Sequence, residues 1–129
     1  MGVPIGIDLG TTYSAIAKWE NTPGHVGANV YHVPLEGGYT MASKVFMQDV
    51  NDRTKYIVGQ AALNKGALLP DMYFSAFKRG MDQNATIRRG DFSTTPVELS
   101  SIILRELLKV AEDVESPKTF VPVSYTHLT

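Results

Sequence analysis

Asp8-Leu9-Gly10-Thr11-Thr12-Tyr13-Ser14 follows the apolar run Val3 to Ile7 and precedes Ala15, Ile16 and Ala17. The stretch reads as a strand, a turn on Gly10 and a second strand. A strand that ends in a carboxylate, then a glycine and two hydroxyl residues, can offer turn amides and Thr hydroxyls to phosphate oxygens. The carboxylate can order a hydrated Mg²⁺. The same residues also fit an ordinary hairpin, and alone they leave both readings open.

Working outward, strands are expected at about 3 to 9, 14 to 20, 29 to 34 and 44 to 48. Asn21-Thr22-Pro23-Gly24 and Glu36-Gly37-Gly38 have turn composition, so these four strands read as an antiparallel meander. Trp19 is expected to pack within its strand. A further strand at about 55 to 58 precedes a helix from Gln60 or Ala61 to about Leu69, stopped by Pro70. Asp71 to Arg79, which carries Lys78, reads as a short helix or loop. Ala85 to Arg88 and Asp91 to Ser93 suit a small hairpin about Arg89-Gly90.

The strongest local signal is the last helix. Thr95 is its N-cap, Pro96 sits at the first helical position, and Glu98 stands where a capping box needs it. At 100° per residue Leu99, Ile103, Leu104, Leu107, Leu108, Val110, Ala111 and Val114 fill about half the circumference. A face that broad requires a sheet to cover it. Ile102 falls among the charges, so its burial requires a second covering surface. Glu115-Ser116-Pro117 ends the helix, and Lys118 to Val121 reads as a strand.

The chain has 129 residues, 43% hydrophobic and 19% charged, which is ordinary composition for one globular domain. A net charge of −1 gives no field to attract nucleic acid or an anionic membrane. With no cysteine there is no disulfide framework and no thiolate metal site. Met1 to Gly6 lacks the basic start of a signal peptide, and no apolar run is long enough to span a membrane. His25 and His32 lack paired ligand spacing. Arg89-Gly90-Asp91 is explained by a turn, and the Asn84-Ala85-Thr86 sequon matters only in a secreted chain. Neither a Walker lysine motif nor a Gly-x-Gly-x-x-Gly fingerprint is present.

Gly6 to Thr12 reads Gly-Ile-Asp-Leu-Gly-Thr-Thr, and this resembles the opening motif of the ATPase domain in the 70-kDa heat-shock chaperones, the DnaK type. Further matches fall in that family's order: Val58-Gly59-Gln60-Ala61-Ala62, Phe77-Lys78-Arg79, Thr95-Pro96 with Glu98-Leu99-Ser100, and Val121-Pro122. The resemblance implies an α/β, actin-like ATPase with the ribonuclease-H-like fold, represented here by an incomplete N-terminal lobe with a mixed sheet and packed helices. It implies a core subdomain from about 1 to 36 and 96 to 122, with a smaller subdomain, 37 to 95, inserted between. Val123-Ser124-Tyr125-Thr126-His127-Leu128-Thr129 departs from the family and resembles a translated sequencing-library adapter, although Val-Ser-Tyr-Thr also suits a terminal strand.

By the same resemblance the cofactors are ATP or ADP with Mg²⁺. Asp8 would order Mg²⁺ through water, Gly10 would let the turn approach the phosphates, Thr11 and Thr12 would donate hydrogen bonds to them, and Tyr13 would lie at the phosphate or ribose edge. Lys78 matches a lysine placed near the γ-phosphate and attacking water, so Lys78 and Asp8 are the expected catalytic residues. The expected parent is a cytoplasmic chaperone ATPase whose partners are unfolded client peptides, a J-domain co-chaperone and a nucleotide-exchange factor. Nucleic acid and membrane are not expected partners. A sugar kinase of the same superfold and a non-hydrolysing nucleotide-binding scaffold are the alternatives. Tyr39-Thr40-Met41-Ala42-Ser43-Lys44 departs from the family's usual Arg-Thr-Thr-Pro-Ser, and Met81-Asp82 stands where a Gly is usual. Both departures mark a divergent member.

Overall fold

The computed structural model describes residues 2–115 and 119–126. Its first sheet holds β1 (Gly2–Leu9), β2 (Tyr13–Thr22), β3 (His25–Val30), β4 (Met41–Ala42) and β10 (Thr119–Thr126). The strand order is β10-β1-β2-β3, with β4 paired to β2 ahead of β3. β1 runs parallel to β10 and antiparallel to β2, so the sheet is mixed. A second sheet, in the order β6-β5-β7, joins β5 (Lys44–Met47), β6 (Tyr56–Val58) and β7 (Tyr73–Ser75). A hairpin of β8 (Ile87–Arg89) and β9 (Phe92–Thr94) leads into the long helix α2 (Pro96–Glu115). With α1 (Gln60–Leu68) against the second sheet, the chain is α/β with a mixed sheet.

The expected meander stops at β3. Of residues 44–48, Lys44–Met47 do form a strand, but it pairs with β6 and β7 rather than with β3. β3 itself lies at 25–30, earlier than expected, because Thr22 pairs with His25 and leaves only Pro23-Gly24 in the loop. Gly27, Ala28 and Asn29 are poor strand formers, so pairing with β2 decides this segment against local propensity. Tyr73–Ser75 within the expected helix or loop is a strand because Tyr73 and Phe74 favour extended backbone and pair with Phe46 and Val45 of β5. The small hairpin turns on Gly90-Asp91, one residue later than expected. β10 extends to Thr126 through the β-permissive residues of the adapter-like run; His127-Leu128-Thr129 lie outside the described residues. Ser116, Pro117 and Lys118, where the helix stop and the start of this strand were expected, also lie outside them.

α2 packs against β1 and β2 of the first sheet and against β5 of the second. Leu99, Ile103, Leu107 and Ala111 are fully buried, in one cluster with Ile5, Leu9 and Ile16. Ile102 is only 3% exposed, which supplies the second covering surface its position required. Glu98, Ile102 and Glu106 form an i, i+4, i+8 stripe whose ends bind Arg53 and the Tyr56 hydroxyl. Residues 53–56, leading into β6, therefore cover this side of the helix. Two expectations fail at the edges of the core: Val114 is 61% exposed and Trp19 is 49% exposed. The cap is also half of what was expected. The Thr95 hydroxyl accepts the Glu98 amide at 3.2 Å, but the Glu98 carboxylate is drawn off to Arg53 and to the Thr94 hydroxyl.

The far end of α2 is tied down by a polar cluster. Buried Glu115 accepts hydrogen bonds from Lys18 Nζ and the Tyr31 hydroxyl, each at 2.9 Å. Burial, then the bond to Glu115, raises the Tyr31 pKa, and the same carboxylate raises that of Lys18. In both cases the protonated form is favoured by folding, so the stabilisation is complete below the unfolded pKa and is lost as pH rises. Stability should therefore fall above about pH 10. Urea midpoints measured across that range should fall less steeply for Tyr31→Phe than for the parent; equal slopes would exclude Tyr31 as the source.

Candidate functional site: the turn between β1 and β2

The turn is short because the register leaves no slack. Leu9 pairs with Ser14, so only Gly10 to Tyr13 separate the last paired residues of β1 and β2. A Cβ placed on Gly10 would lie 2.2 Å from the Tyr13 carbonyl oxygen. Two backbone segments meet there, and glycine is required by that approach. Leu9 and Ser14 are buried beneath the turn, Thr12 is exposed, and Tyr13 is 58% exposed. The structure thus brings Thr11, Thr12 and Tyr13 to one accessible rim above buried Gly10.

Two serines tie the turn from below. Ser14 Oγ accepts the Gly10 amide at 3.3 Å and lies 2.8 Å from Ser43 Oγ. Ser43 donates its hydroxyl to the Gly10 carbonyl at 2.9 Å and its amide to the Thr12 carbonyl at 2.8 Å. Ser43 arrives through β4, whose Met41 and Ala42 pair with Ser14 and Tyr13. Sequence reasoning passed over Ser43 as a site residue, since only the pairing of β4 with β2 brings it to the turn.

Asp8 precedes the turn on β1, opposite Ala15. Its Oδ1 is buried without a hydrogen-bond partner, a costly arrangement for a carboxylate. An orphaned oxygen of this kind, on the strand that leads into a turn bearing two hydroxyl residues, fits a hydrated divalent cation held with phosphate. Among the described residues no group of three or more His, Cys, Asp or Glu side chains converges, so such a cation would depend on Asp8 and on its ligand's own oxygens. Asp8 also borders an open depression of about 280 Å³ on the face of the first sheet, where Gly6, Ala15 and Ala17 carry little or no side chain to fill it.

Lys78 belongs to a different element, the 3-10 turn Phe77–Gly80. That turn packs on the start of α2, where buried Phe77 anchors it. Its link to the Asp8–Tyr13 turn is carried by the family resemblance.

Val58 to Ala62 has its own local reason. Gly59 has φ of +77°, and a Cβ there would lie 2.7 Å from the Glu36 carboxylate oxygens. Glu36 fills that space, accepting the amides of Gln60 at the start of α1 and of Ala42 in β4. Glycine here lets one carboxylate join the helix to the strand that Ser43 directly follows.

No protein-family model matches the chain. Among curated proteins it is similar to the chaperone protein DnaK of two Halobacterium salinarum strains, R1 and NRC-1, each 33% identical over 127 residues. These matches cover 94% of the chain and 19% of each relative. DnaK of Nitrosopumilus maritimus is 33% identical over 132 residues, covering 97% of the chain and 20% of the relative. The chain spans about a fifth of the length of the curated relatives it matches. Among the described residues no helix is long and apolar enough to cross a membrane. Over the stretch matched, the chain is similar to the DnaK-type, 70-kDa heat-shock chaperones.

Proposed function

We propose that residues 8–14 form a nucleotide-phosphate turn of an actin-like ATPase with the ribonuclease-H-like fold. The observation that carries this reading is the orphaned Asp8 Oδ1 beside a turn closed so tightly that only glycine fits at position 10. On this reading Thr11 and Thr12 hold the phosphates of ATP or ADP through amides and hydroxyls, and Tyr13 borders the ribose. Asp8 orients a hydrated Mg²⁺, which when bound neutralises phosphate charge. Lys78 adds a fixed cation near the γ-phosphate. The core subdomain is 1–36 with 96–122, and 37–95 is inserted. Support comes from the first sheet, which draws β1 to β3 and β10 from the flanking stretches, although β4 of the insertion also joins it. Residues 123–129 are read as adapter sequence.

The whole protein, on this proposal, is a cytoplasmic ATP-driven chaperone that binds unfolded client peptides and is regulated by a J-domain co-chaperone and an exchange factor. The second phosphate loop and adenine site would come from a further lobe, so this chain alone should bind ATP more weakly than micromolar in calorimetry. Micromolar affinity would contradict the division of the site between lobes. The test of hydrolysis is steady-state ATP turnover of the protein encoded by the complete reading frame. Lys78→Ala should lower it by about 100-fold or more. A non-hydrolysing scaffold would show no turnover to lose, and a sugar kinase would require a sugar hydroxyl as acceptor.

A further inference from the structure

We infer that Ser14 and Ser43 are positioning residues that fix the Gly10–Thr11 peptide so that the Thr11 amide faces the phosphate side of the turn. This rests on the reading of residues 8–14 as a phosphate site. The direction of the hydrogen bonds follows from what each group can do. The Gly10 carbonyl can only accept, so Ser43 Oγ, 2.9 Å away, spends its proton there. Ser43 Oγ must then accept from Ser14 Oγ at 2.8 Å, and Ser14 Oγ in turn accepts the Gly10 amide. The chain Gly10 N–H to Ser14 to Ser43 to Gly10 C=O closes a ring on a single residue. Both serines are buried, at 1% and 2% exposure, so neither hydroxyl exchanges readily with water.

The ring has a consequence on the other side of the peptide. In a trans peptide the carbonyl of one residue and the amide of the next point in opposite directions across the same plane. With the Gly10 carbonyl held inward on Ser43, the Thr11 N–H is held outward, toward the rim formed with Thr12 and Tyr13. Thr12 is restrained in the same sense, because its carbonyl accepts the Ser43 amide. Ser43 therefore prepays the ordering of two consecutive turn residues before a phosphate arrives. The Gly10 amide is occupied within the ring, which leaves Thr11 as the first donor of the turn.

The experiment is amide-resolved magnetic resonance on the ¹⁵N-labelled chain, titrated with magnesium tripolyphosphate. In the parent chain the Thr11 amide should shift on titration, and the Gly10 amide should exchange slowly with solvent. Ser43→Ala should free the Gly10 carbonyl and weaken the Thr11 response by about tenfold or more, while Ser43→Thr, which keeps the hydroxyl, should restore it; Ser14→Ala should remove the Gly10 protection. Unchanged α2 amides would show that the fold is intact. If Ser43→Ala does not fold, Ser14→Ala interrupts the same ring and should give the same weakening. Equal Thr11 shifts in the parent and a folded Ser43→Ala would overturn the positioning role and leave the phosphate reading standing. No Thr11 shift in the parent would overturn the phosphate reading and the assignment of Thr11 with it, even if the loss of Gly10 protection in Ser14→Ala confirmed the ring itself.

Discussion

Gly10→Ala is expected to destabilise the chain by about 2–3 kcal/mol and to abolish the response of the turn to nucleotide. The added methyl would meet the Tyr13 carbonyl oxygen at 2.2 Å. Neither partner is a side chain that can rotate away. Relief has to come from the backbone, by breaking the Leu9–Ser14 pairing or by opening the serine ring beneath the turn. For a chain of this size the loss corresponds to a fall in Tm of roughly 10 °C. Thr12→Ala is the control. Thr12 is exposed, so its removal should change stability by less than about 0.5 kcal/mol while weakening phosphate binding. A Gly10→Ala chain with parental Tm and parental nucleotide response would mean that the turn is wider in solution than its geometry requires.

Glu115→Ala should cost about 2–3 kcal/mol, read as a drop in the urea midpoint at neutral pH. The Tyr31 hydroxyl is buried and would lose its acceptor, whereas Lys18 is partly exposed and recovers water in place of the carboxylate. Most of the cost should therefore come from the tyrosine. Tyr31→Phe with Glu115→Ala should then be less than additive by about 1 kcal/mol or more, since both changes remove the same bond. Strict additivity would show that the hydroxyl and the carboxylate act independently. The bond ties the end of α2 to Tyr31, beyond β3, and so fixes the helix over the sheet whose first turn carries the candidate site.

What the sequence made legible was local. β1, β2, α1 and α2 follow from apolar runs, the 3.6-residue period and the Thr95-Pro96 start, all of which act over a few residues. The Asp8-Leu9-Gly10-Thr11-Thr12 turn was legible for the same reason, because its glycine and hydroxyls are adjacent in the chain. β3 is misplaced because its pairing with β2 overrides weak local propensity, and β7 is missed because three residues, though β-favouring at Tyr73 and Phe74, are too short a run to show a period. The burial of Ile102 required a second sheet to reach α2, and no periodicity of the helix alone identifies which sheet. Ser43 is 33 residues from its partner Gly10, and Glu115 is 84 from Tyr31. Contacts at such separations leave no periodic trace, although Gly59 lies in a stretch that matches the family and Ser43 in one that departs from it.

The most direct measurement of the central claim is the Mg²⁺ dependence of ADP binding at this turn, read from the amides of residues 8–14. With about 10 mM ADP the amides of Thr11 to Tyr13 should shift more with Mg²⁺ than without it, and Asp8→Asn should erase that difference. If none of these amides moves, or if Asp8→Asn leaves the Mg²⁺ effect intact, the turn is an ordinary hairpin and the nucleotide assignment is wrong.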